Sequence, residues 1–178
     1  MNRPPKVGSV GQLWGYRCVN LLAELLRFEA EVEGYLAGVA KPESYSEEAS
    51  QMLRNPRVLE FEDGFIEKDS ELNARLGNLD AFLVDGRSYK CPSGLGIRAM
   101  AMGRPLVSPD SPSWVASLIR EHGVGVFWEL GTNALAADLR SWFDSDGSKR
   151  AVAVAQMLND HEGLKKSYVK MFDRLSGV

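Results

Sequence analysis

The chain has 178 residues, which suffices for one domain of good size and is too short for two ordinary ones. Hydrophobic residues make up 44% and charged residues 25%, a composition typical of a globular domain that excludes a collagen, a coiled coil and a disordered tail. The net charge of −3 disfavours backbone-driven binding to nucleic acid, and no apolar run reaches the roughly 20 residues of a membrane helix. Two distant cysteines, Cys18 and Cys91, and two histidines exclude a disulfide framework and leave little for a metal centre.

In the first half of the chain, short apolar runs alternate with amphipathic segments. Apolar residues from Cys18 to Val32 recur at three- and four-residue spacing, which predicts a helix with one buried face. The run Ala81–Val84 is apolar throughout, as in a strand that is buried on both faces. The further elements predicted here are a strand at Val7–Gly11, a strand at Tyr35–Val39, a helix at Ser46–Leu53, a strand at Val58–Phe61 and a helix capped by Asp69 or Ser70.

The second half of the chain continues this alternation. Its predicted elements are a helix at Ser93–Met102, a strand at Leu106–Ser108, a helix from Trp114 to Gly123, a strand at Gly125–Phe127, and helices at Asn133–Phe143, Lys149–Asn159 and Leu164–Leu175. Because parallel strands need long crossover connections, the alternation predicts an α/β fold: a Rossmann-like, doubly wound parallel sheet of about six strands with helices on both faces. Residues 1–178 form one domain in this prediction, and the last helices, about 149–178, pack on its edge.

The loop after the fourth predicted strand contains the groups of an anion site. Ligands of doubly wound sheets bind at the carboxyl ends of the strands, where this loop lies. Ser93 caps the following helix and two glycines keep its first turn free of bulky side chains, so its N–H groups and dipole favour an anion. Lys90, Arg98 and Arg87 would add charge-assisted bonds. The alternative is an ordinary capped helix with solvated basic residues.

The loop after the first predicted strand brings another cation to the same edge of the sheet. The sequence Gly11-Gln12-Leu13-Trp14-Gly15-Tyr16-Arg17 places Arg17 at the start of the first helix. An arginine is unfavourable at the positive end of a helix unless an anion offsets it. An exposed arginine that extends into water is the alternative for this loop alone. Two loops with cationic and N–H groups on one edge together predict a phosphate site.

The segment Pro92–Ser108 carries the most specific motif of the chain. It contains Ala-Met-Ala-x-Gly-x-Pro at Ala99–Pro105. This segment resembles the E-A-M-A-x-G-x-P-V-V signature in the C-terminal, donor-binding domain of family-4-like retaining glycosyltransferases with the two-domain GT-B fold. Weaker likenesses follow in the family's order at positions 10–17, 36–38, 65–72, 115–127 and 133–139. The resemblance therefore spans most of the chain.

The resemblance implies a domain that binds a nucleotide-sugar, UDP- or GDP-linked, with no metal ion or other cofactor. The positions that it assigns are Arg17, Ser93, Gly94 and Leu95 for the diphosphate, Gly11 and Gln12 for the loop after the first strand, and Gly38, Val39, Phe65 and Ile66 for the nucleobase pocket. Lys90 and Arg98, as cations beside the Ser93 helix start, are added to the predicted diphosphate residues on their charge. The resemblance assigns no catalytic side chain to this half of the enzyme. The basic groups stabilise the leaving nucleoside diphosphate in such enzymes, which is electrostatic catalysis.

The resemblance also implies a larger enzyme. An N-terminal acceptor-binding domain would close over this one, and a sugar would pass from the nucleoside diphosphate to the acceptor. The isolated chain would then bind donor without transferring sugar at a useful rate. The expected location is cytoplasmic, with the full-length enzyme peripheral to a membrane.

Departures from the family pattern leave a second function open. Lys90 and Arg98 stand where many relatives have glutamates that reach the sugar and the ribose, and Gln12 stands where arginine is common. A cation cannot accept hydrogen bonds from sugar hydroxyls. The alternative is a non-catalytic, GT-B-derived binding or assembly module. A third interpretation, a flavodoxin-like receiver, would require a clustered acidic pocket, which the sequence does not indicate.

Overall fold

Six strands form the sheet of this computed structural model, which describes residues 3–54, 59–87 and 93–160. They are β1 (Lys6–Leu13), β2 (Glu33–Ala40), β3 (Leu59–Asp63), β4 (Ala81–Leu83), β5 (Leu106–Ser108) and β6 (Gly125–Phe127). All neighbouring strands are parallel, and their order in the sheet is β3-β2-β1-β4-β5-β6. The predicted doubly wound parallel sheet is confirmed. The strand order reverses between β1 and β4, which is where such sheets bind their ligands.

Helices cover both faces of the sheet. In chain order they are a π-helical turn (Gly15–Val19), α1 (Asn20–Phe28), a short 3₁₀ turn (Pro42–Ser44), α2 (Glu47–Met52), α3 (Asp69–Gly77), α4 (Gly94–Ala101), α5 (Trp114–His122), α6 (Leu135–Asp144) and α7 (Gly147–Asn159). The buried side chains of α1, α2 and most of α6 form one core cluster, and those of α3, α4, α5 and α7 form the other. None of the described helices has the length and apolar content that a membrane span requires.

The short strand β4 shows why the sheet is buried on both faces. Ala81 and Leu83 pack into the cluster under α1, whereas Phe82 points into the cluster under α4 and α5. All three side chains are at most 3% exposed. Burial of a leucine or phenylalanine side chain contributes about 1.5–3 kcal/mol. The continuous apolar run in the sequence therefore encodes a central strand with no solvent face.

The first helix is shorter than its apolar spacing predicts. It ends at Phe28 rather than near Val32, because Glu29 leaves the helix and buries its carboxylate. One oxygen of Glu29 accepts a hydrogen bond from Trp128 Nε1 (3.1 Å), and the other accepts one from the backbone N–H of Leu135 (3.2 Å). Val32 is buried all the same, as part of the turn into β2. A long-range polar contact thus sets the end of α1.

Other predicted boundaries also shift. Neither Asp69 nor Ser70 is the N-cap of α3; Lys68 takes that position, and Asp69 lies in the first turn, where its charge suits the positive end of the helix. Helix α6 begins at Leu135 instead of Asn133, because Asn133 has a left-handed backbone with φ of 48°. Three predictions fall outside the described residues. They are the helix at Leu164–Leu175, the packing of residues beyond 160 on the edge of the domain, and the start of a strand at Val58.

Candidate functional site

A pocket of about 260 Å³ lies at the carboxyl ends of β1 and β4, at the reversal of strand order. Its described lining consists of Ser9, Val10 and Gln12 from β1, Arg17 and Cys18 from the π-helical turn, Phe82, Leu83 and Val84 from the end of β4, and Ser93, Gly94 and Leu95 from the start of α4. This cavity is the switch-point pocket. It brings together Arg17 and the Ser93 helix start, which the sequence placed in two separate loops.

The π-helical turn holds Arg17 at this pocket. The backbone N–H groups of Arg17, Cys18 and Val19 converge on the carbonyl oxygen of Trp14, at 3.2, 3.3 and 3.4 Å. The carbonyl oxygen of Arg17 in turn accepts a hydrogen bond from the N–H of Asp85, beyond β4, at 2.9 Å. A single π turn is rare and occurs frequently at functional sites. The backbone of Arg17 is therefore fixed to both strands that flank the pocket.

The start of α4 supplies N–H groups to the same pocket. Ser93 Oγ accepts a hydrogen bond from the N–H of Gly96 at 3.1 Å, which is the predicted N-cap. A Cβ on Gly94 would meet no atom of the described residues within 4 Å. The first N–H groups of a helix lack partners within the helix and carry its positive partial charge. This end of α4 can therefore bind an anion directly through its backbone.

The electrostatics of the switch-point pocket favour a negative ligand. Among its described lining residues, Arg17 carries the one charged side chain, and no carboxylate lines the pocket. The π-helical turn that leads into α1 and the start of α4 both border it. An anion in this pocket would meet a guanidinium and backbone N–H donors together, the combination that phosphate groups select.

Two other predicted cations are paired elsewhere, and neither lines the pocket. Arg87 binds the buried carboxylate of Asp85 through Nε (3.1 Å) and the carboxylate of Glu24 through Nη2 (2.9 Å). These hydrogen bonds raise the pKa of Arg87, and the bond to Asp85 makes the largest contribution. Arg98 spans to α3, where Nη1 lies 2.9 Å from Asp69 Oδ1 and Nε donates to the Asn73 side-chain oxygen at 2.6 Å. Lys90 and Cys91 lie outside the described residues.

A second pocket, of about 220 Å³, lies at the ends of β2 and β3. It contains three of the four residues predicted for the nucleobase, namely Gly38, Phe65 and Ile66, and Val39 does not line it. Phe65 is 76% exposed, so its ring is available to a ligand. The remaining lining residues are Ala37, Glu62, Asp63, Gly64, Glu71 and Arg75.

A pair of glycines forms the rim between the two pockets. Gly11 of β1 and Gly38 of β2 are partners in the strand register, with φ of 108° and 139°. Because β1 and β2 are neighbours in the sheet, this glycine pair lies between the β1–β4 pocket and the β2–β3 pocket. A Cβ on Gly38 would lie 1.9 Å from the carbonyl oxygen of Gly11. A Cβ on Gly11 would lie 2.7 Å from Leu95 Cδ1, so the Leu95 side chain from the start of α4 packs against this rim.

Sequence reasoning missed the polar floor of the switch-point pocket. Ser9 and Cys18 both line it and are 7% and 2% exposed. Burial raises the pKa of the Cys18 thiol to about 12, although a hydrogen bond with Ser9 lowers it in part. The one available signal was Ser9 itself, a polar residue in an otherwise apolar stretch of a central strand.

The Cys18 thiol should make stability depend on pH in the alkaline range. A thiol whose pKa rises from 9.0 to about 12 on folding contributes stability that is complete below pH 9 and is lost as the pH rises toward 12. The expected loss is about 1.4 kcal/mol per pH unit. It can be measured by urea denaturation of a Cys91→Ala variant between pH 8 and 11. A Cys91→Ala/Cys18→Ala variant serves as the control and should lose stability less steeply; equal slopes in the two proteins would contradict the prediction.

The side chains that could ligate a metal ion do not cluster in the described part of the chain. Within residues 3–54, 59–87 and 93–160, no group of three histidine, cysteine, aspartate or glutamate side chains is placed to hold a metal ion.

The fold, with its parallel sheet and helices on both faces, is similar to one half of GT-B glycosyltransferase structures, among them a C-terminal domain. The similar solved structures include HepE from Anabaena in complex with UDP-glucose, which is 19% identical with a TM-score of 0.61 over 99% of this chain and 50% of HepE. TarM, known from S. aureus, is 18% identical with a TM-score of 0.58 over 96% of this chain and 35% of TarM. The C-terminal domain of the group 1 glycosyl transferase LpcC from Francisella tularensis is 19% identical with a TM-score of 0.53 over 93% of this chain and 87% of that domain.

These likenesses are structural. No protein-family model matches the chain, and no curated protein matches its sequence. The chain spans about a third of the TarM structures and half of HepE. The comparisons therefore establish the fold alone.

Proposed function

We propose that this chain is the donor-binding domain of a glycosyltransferase and binds a nucleoside-diphosphate sugar, UDP- or GDP-linked. The observation that carries the proposal is the switch-point pocket, where Arg17 and the start of α4 line one cavity without a carboxylate among its described residues. The fold supports it, since HepE was solved with UDP-glucose and Arabidopsis starch synthase IV, 14% identical, with ADP.

The ligand would extend across both pockets. Its diphosphate would lie between Arg17 and the N–H groups of Ser93, Gly94 and Leu95, its ribose over the Gly11–Gly38 rim, and its base against Phe65 and Ile66 in the second pocket. Neither rim glycine has a side chain of its own, but Leu95 Cδ1 lies 2.7 Å from the place of a Cβ on Gly11, so the ribose would contact the Leu95 side chain. An exposed aromatic ring and an aliphatic side chain suit the apolar faces of a base.

The proposed chemistry is stabilisation of the leaving group. When the bond between sugar and diphosphate breaks, negative charge develops on the departing phosphate oxygen. The Arg17 guanidinium and the backbone N–H groups at the start of α4, which both belong to residues lining the pocket, would stabilise that charge. In many enzymes, such preorganised electrostatic stabilisation accounts for most of the rate enhancement. The proposal requires no metal ion. It requires an acceptor-binding N-terminal domain, without which the chain would hold donor and transfer little sugar.

One observation favours a second function, a non-catalytic binding or assembly module. Arg98, at a position where many relatives use a glutamate for the ribose, is bound to Asp69 and Asn73 on α3. A guanidinium can only donate hydrogen bonds, and this one already donates to α3. A chain that had lost donor binding could retain such a link between helices for structural reasons.

Calorimetric titration of the purified chain separates the two functions. UDP, GDP, ADP and their sugars are titrated, with UMP and GMP as matched controls that lack the second phosphate. The donor-binding proposal expects a diphosphate to bind at least about tenfold more tightly than its monophosphate, since charge-assisted hydrogen bonds to the added phosphate contribute about 1.5–3 kcal/mol. Absence of binding for every nucleotide at millimolar concentration would refute donor binding and favour the module.

A further inference from the structure

Trp14 lies beside the switch-point pocket in the short segment between β1 and the π-helical turn. Its indole Nε1 donates a hydrogen bond to the side-chain oxygen Oε1 of Gln12 at 3.1 Å. The Tyr16 ring is 5.7 Å from the Trp14 ring, centre to centre, and Lys41 Nζ lies 5.6 Å from the centre of the Trp14 ring. The Arg17 guanidinium carbon in turn lies 5.6 Å from the centre of the Tyr16 ring. The two aromatic rings are thus in tilted contact, at an interplanar angle of 40°, and each has a cation near its face.

The hydrogen bond from Trp14 determines the orientation of the Gln12 amide. An indole N–H can only donate, so the Gln12 atom that faces it must be the carbonyl oxygen. The Nε2 group, with two N–H donors, is then turned away from Trp14. Gln12 lines the switch-point pocket with Arg17. With the oxygen bound to the indole, a contact between this amide and an anion in the pocket would be made through its two N–H donors, whereas the opposite orientation would present a carbonyl dipole that repels the anion.

Neighbouring residues hold the indole in place. Gly15, directly after Trp14, donates its N–H to Ser44 Oγ at 2.8 Å, and Ser44 Oγ donates to the carbonyl oxygen of Lys41 at 2.7 Å. A Cβ on Gly15 would lie 1.9 Å from the Ser44 carbonyl oxygen, so the two loops are in close backbone contact. The Lys41 ammonium over the indole adds a cation–π contact. The β2–α2 connection therefore supports the loop that carries Trp14.

We propose that Trp14 is a positioning residue that fixes Gln12 as a neutral hydrogen-bond donor to the anionic group in the switch-point pocket. Its action is through Gln12, whose Nε2 adds two N–H donors beside the charge of Arg17. The identification of that anionic group as the diphosphate of a nucleotide rests on the proposed function. The geometry of the indole, the amide and the pocket is independent of the proposed function.

A double-mutant cycle on UDP binding tests the proposal. Trp14→Phe keeps an aromatic ring for Tyr16 and Lys41 and removes the N–H together with the rest of the five-membered ring, a loss of bulk that the Gln12→Ala background and the Trp142→Phe control share. We expect Trp14→Phe and Gln12→Ala each to weaken UDP binding about three- to tenfold, the range of one lost hydrogen bond. Trp14→Phe should have no further effect in the Gln12→Ala background. An equal effect of Trp14→Phe in both backgrounds would mean that the indole supports only the fold, and would overturn the proposal.

Trp142→Phe is the matched control for this cycle. It also removes an indole hydrogen bond, from Nε1 to the Gly123 carbonyl oxygen at 2.8 Å, but Trp142 does not line the switch-point pocket. It should lower the melting temperature and leave UDP affinity unchanged. A comparable loss of affinity in Trp142→Phe would attribute the Trp14 effect to general destabilisation and overturn the proposal.

A measurement without nucleotide separates failure of this inference from failure of the proposed function. The Trp14 indole proton, assigned in the NMR spectrum by its loss in Trp14→Phe, should exchange with solvent faster in Gln12→Ala. An unchanged exchange rate would overturn the inference even if UDP binds. If no nucleotide binds, the cycle is repeated with inorganic pyrophosphate: coupling between Trp14 and Gln12 would then support the inference while the proposed function fails, and absence of pyrophosphate binding would overturn both.

Discussion

Replacing Arg17 with alanine is expected to weaken binding of UDP or GDP about 10- to 150-fold. The change removes the one charged side chain among the described lining residues of the switch-point pocket. A hydrogen bond to a charged group contributes about 1.5–3 kcal/mol, and about 1.4 kcal/mol corresponds to a factor of ten in affinity. Isothermal titration of both nucleotides against Arg17→Ala and the unmodified chain measures the difference.

Arg27→Ala is the control for the loss of one positive charge. Arg27 also belongs to the first helical segment, but in its last turn, where its guanidinium lies 5.5 Å from the centre of the Phe28 ring. It does not line the pocket, so its removal should change affinity less than about twofold, as expected for a screened charge at a distance. Equal losses in Arg17→Ala and Arg27→Ala would show that net charge, and not contact in the pocket, governs binding.

Salt dependence gives a second readout for Arg17. Binding of a diphosphate to a guanidinium weakens as the salt concentration rises, since screening reduces the attraction between exposed or partly exposed charges. The affinity of Arg17→Ala should therefore fall less steeply between 50 and 500 mM NaCl than that of the unmodified chain. Identical slopes would indicate that Arg17 does not contact the phosphates, even if its removal lowers affinity.

The sequence was a good guide to the fold because the relevant patterns are local. The continuous apolar run at Ala81–Val84 encodes a central strand, and the capping serine before Gly94 encodes the start of α4. The rule that the carboxyl ends of parallel strands share one edge was sufficient to predict that Arg17 and Ser93 lie on the same side of the sheet. These are short-range signals combined with one topological rule.

The parts that the sequence did not predict depend on contacts between distant residues. The end of α1 is set by the buried Glu29 carboxylate, whose partners Trp128 and Leu135 are about a hundred positions further along the chain. Arg98 was grouped with the diphosphate residues on the basis of its position in α4, but its partner Asp69 on α3 is 29 positions away. Periodicity carries no information about such partners. Side-chain pairing across the fold therefore has to be read from the structure.

Gly38→Ala is expected to destabilise the chain by about 2–6 kcal/mol. Gly38 has φ of 139°, a backbone conformation that L-residues rarely adopt, and a Cβ there would lie 1.9 Å from the Gly11 carbonyl oxygen. The strained conformation costs about 1–3 kcal/mol, and forcing an extra carbon into a packed position typically costs another 1–3 kcal/mol. The obstructing atoms belong to the backbone of the adjacent strand, so they cannot turn aside as the end of a side chain could. Urea denaturation measures the loss.

Gly64→Ala is the matched control, because Gly64 lines the same second pocket as Gly38 and a Cβ there would meet nothing within 4 Å. Its backbone lies outside the left-handed region, so alanine should change stability by less than about 1 kcal/mol, in the stabilising direction if it restricts the unfolded chain. If Gly38→Ala lowered the free energy of unfolding no more than Gly64→Ala does, β1 and β2 would be able to separate at the rim. The Gly11–Gly38 contact would then be too pliable to fix the path between the two pockets, and a single extended ligand would lose its structural support.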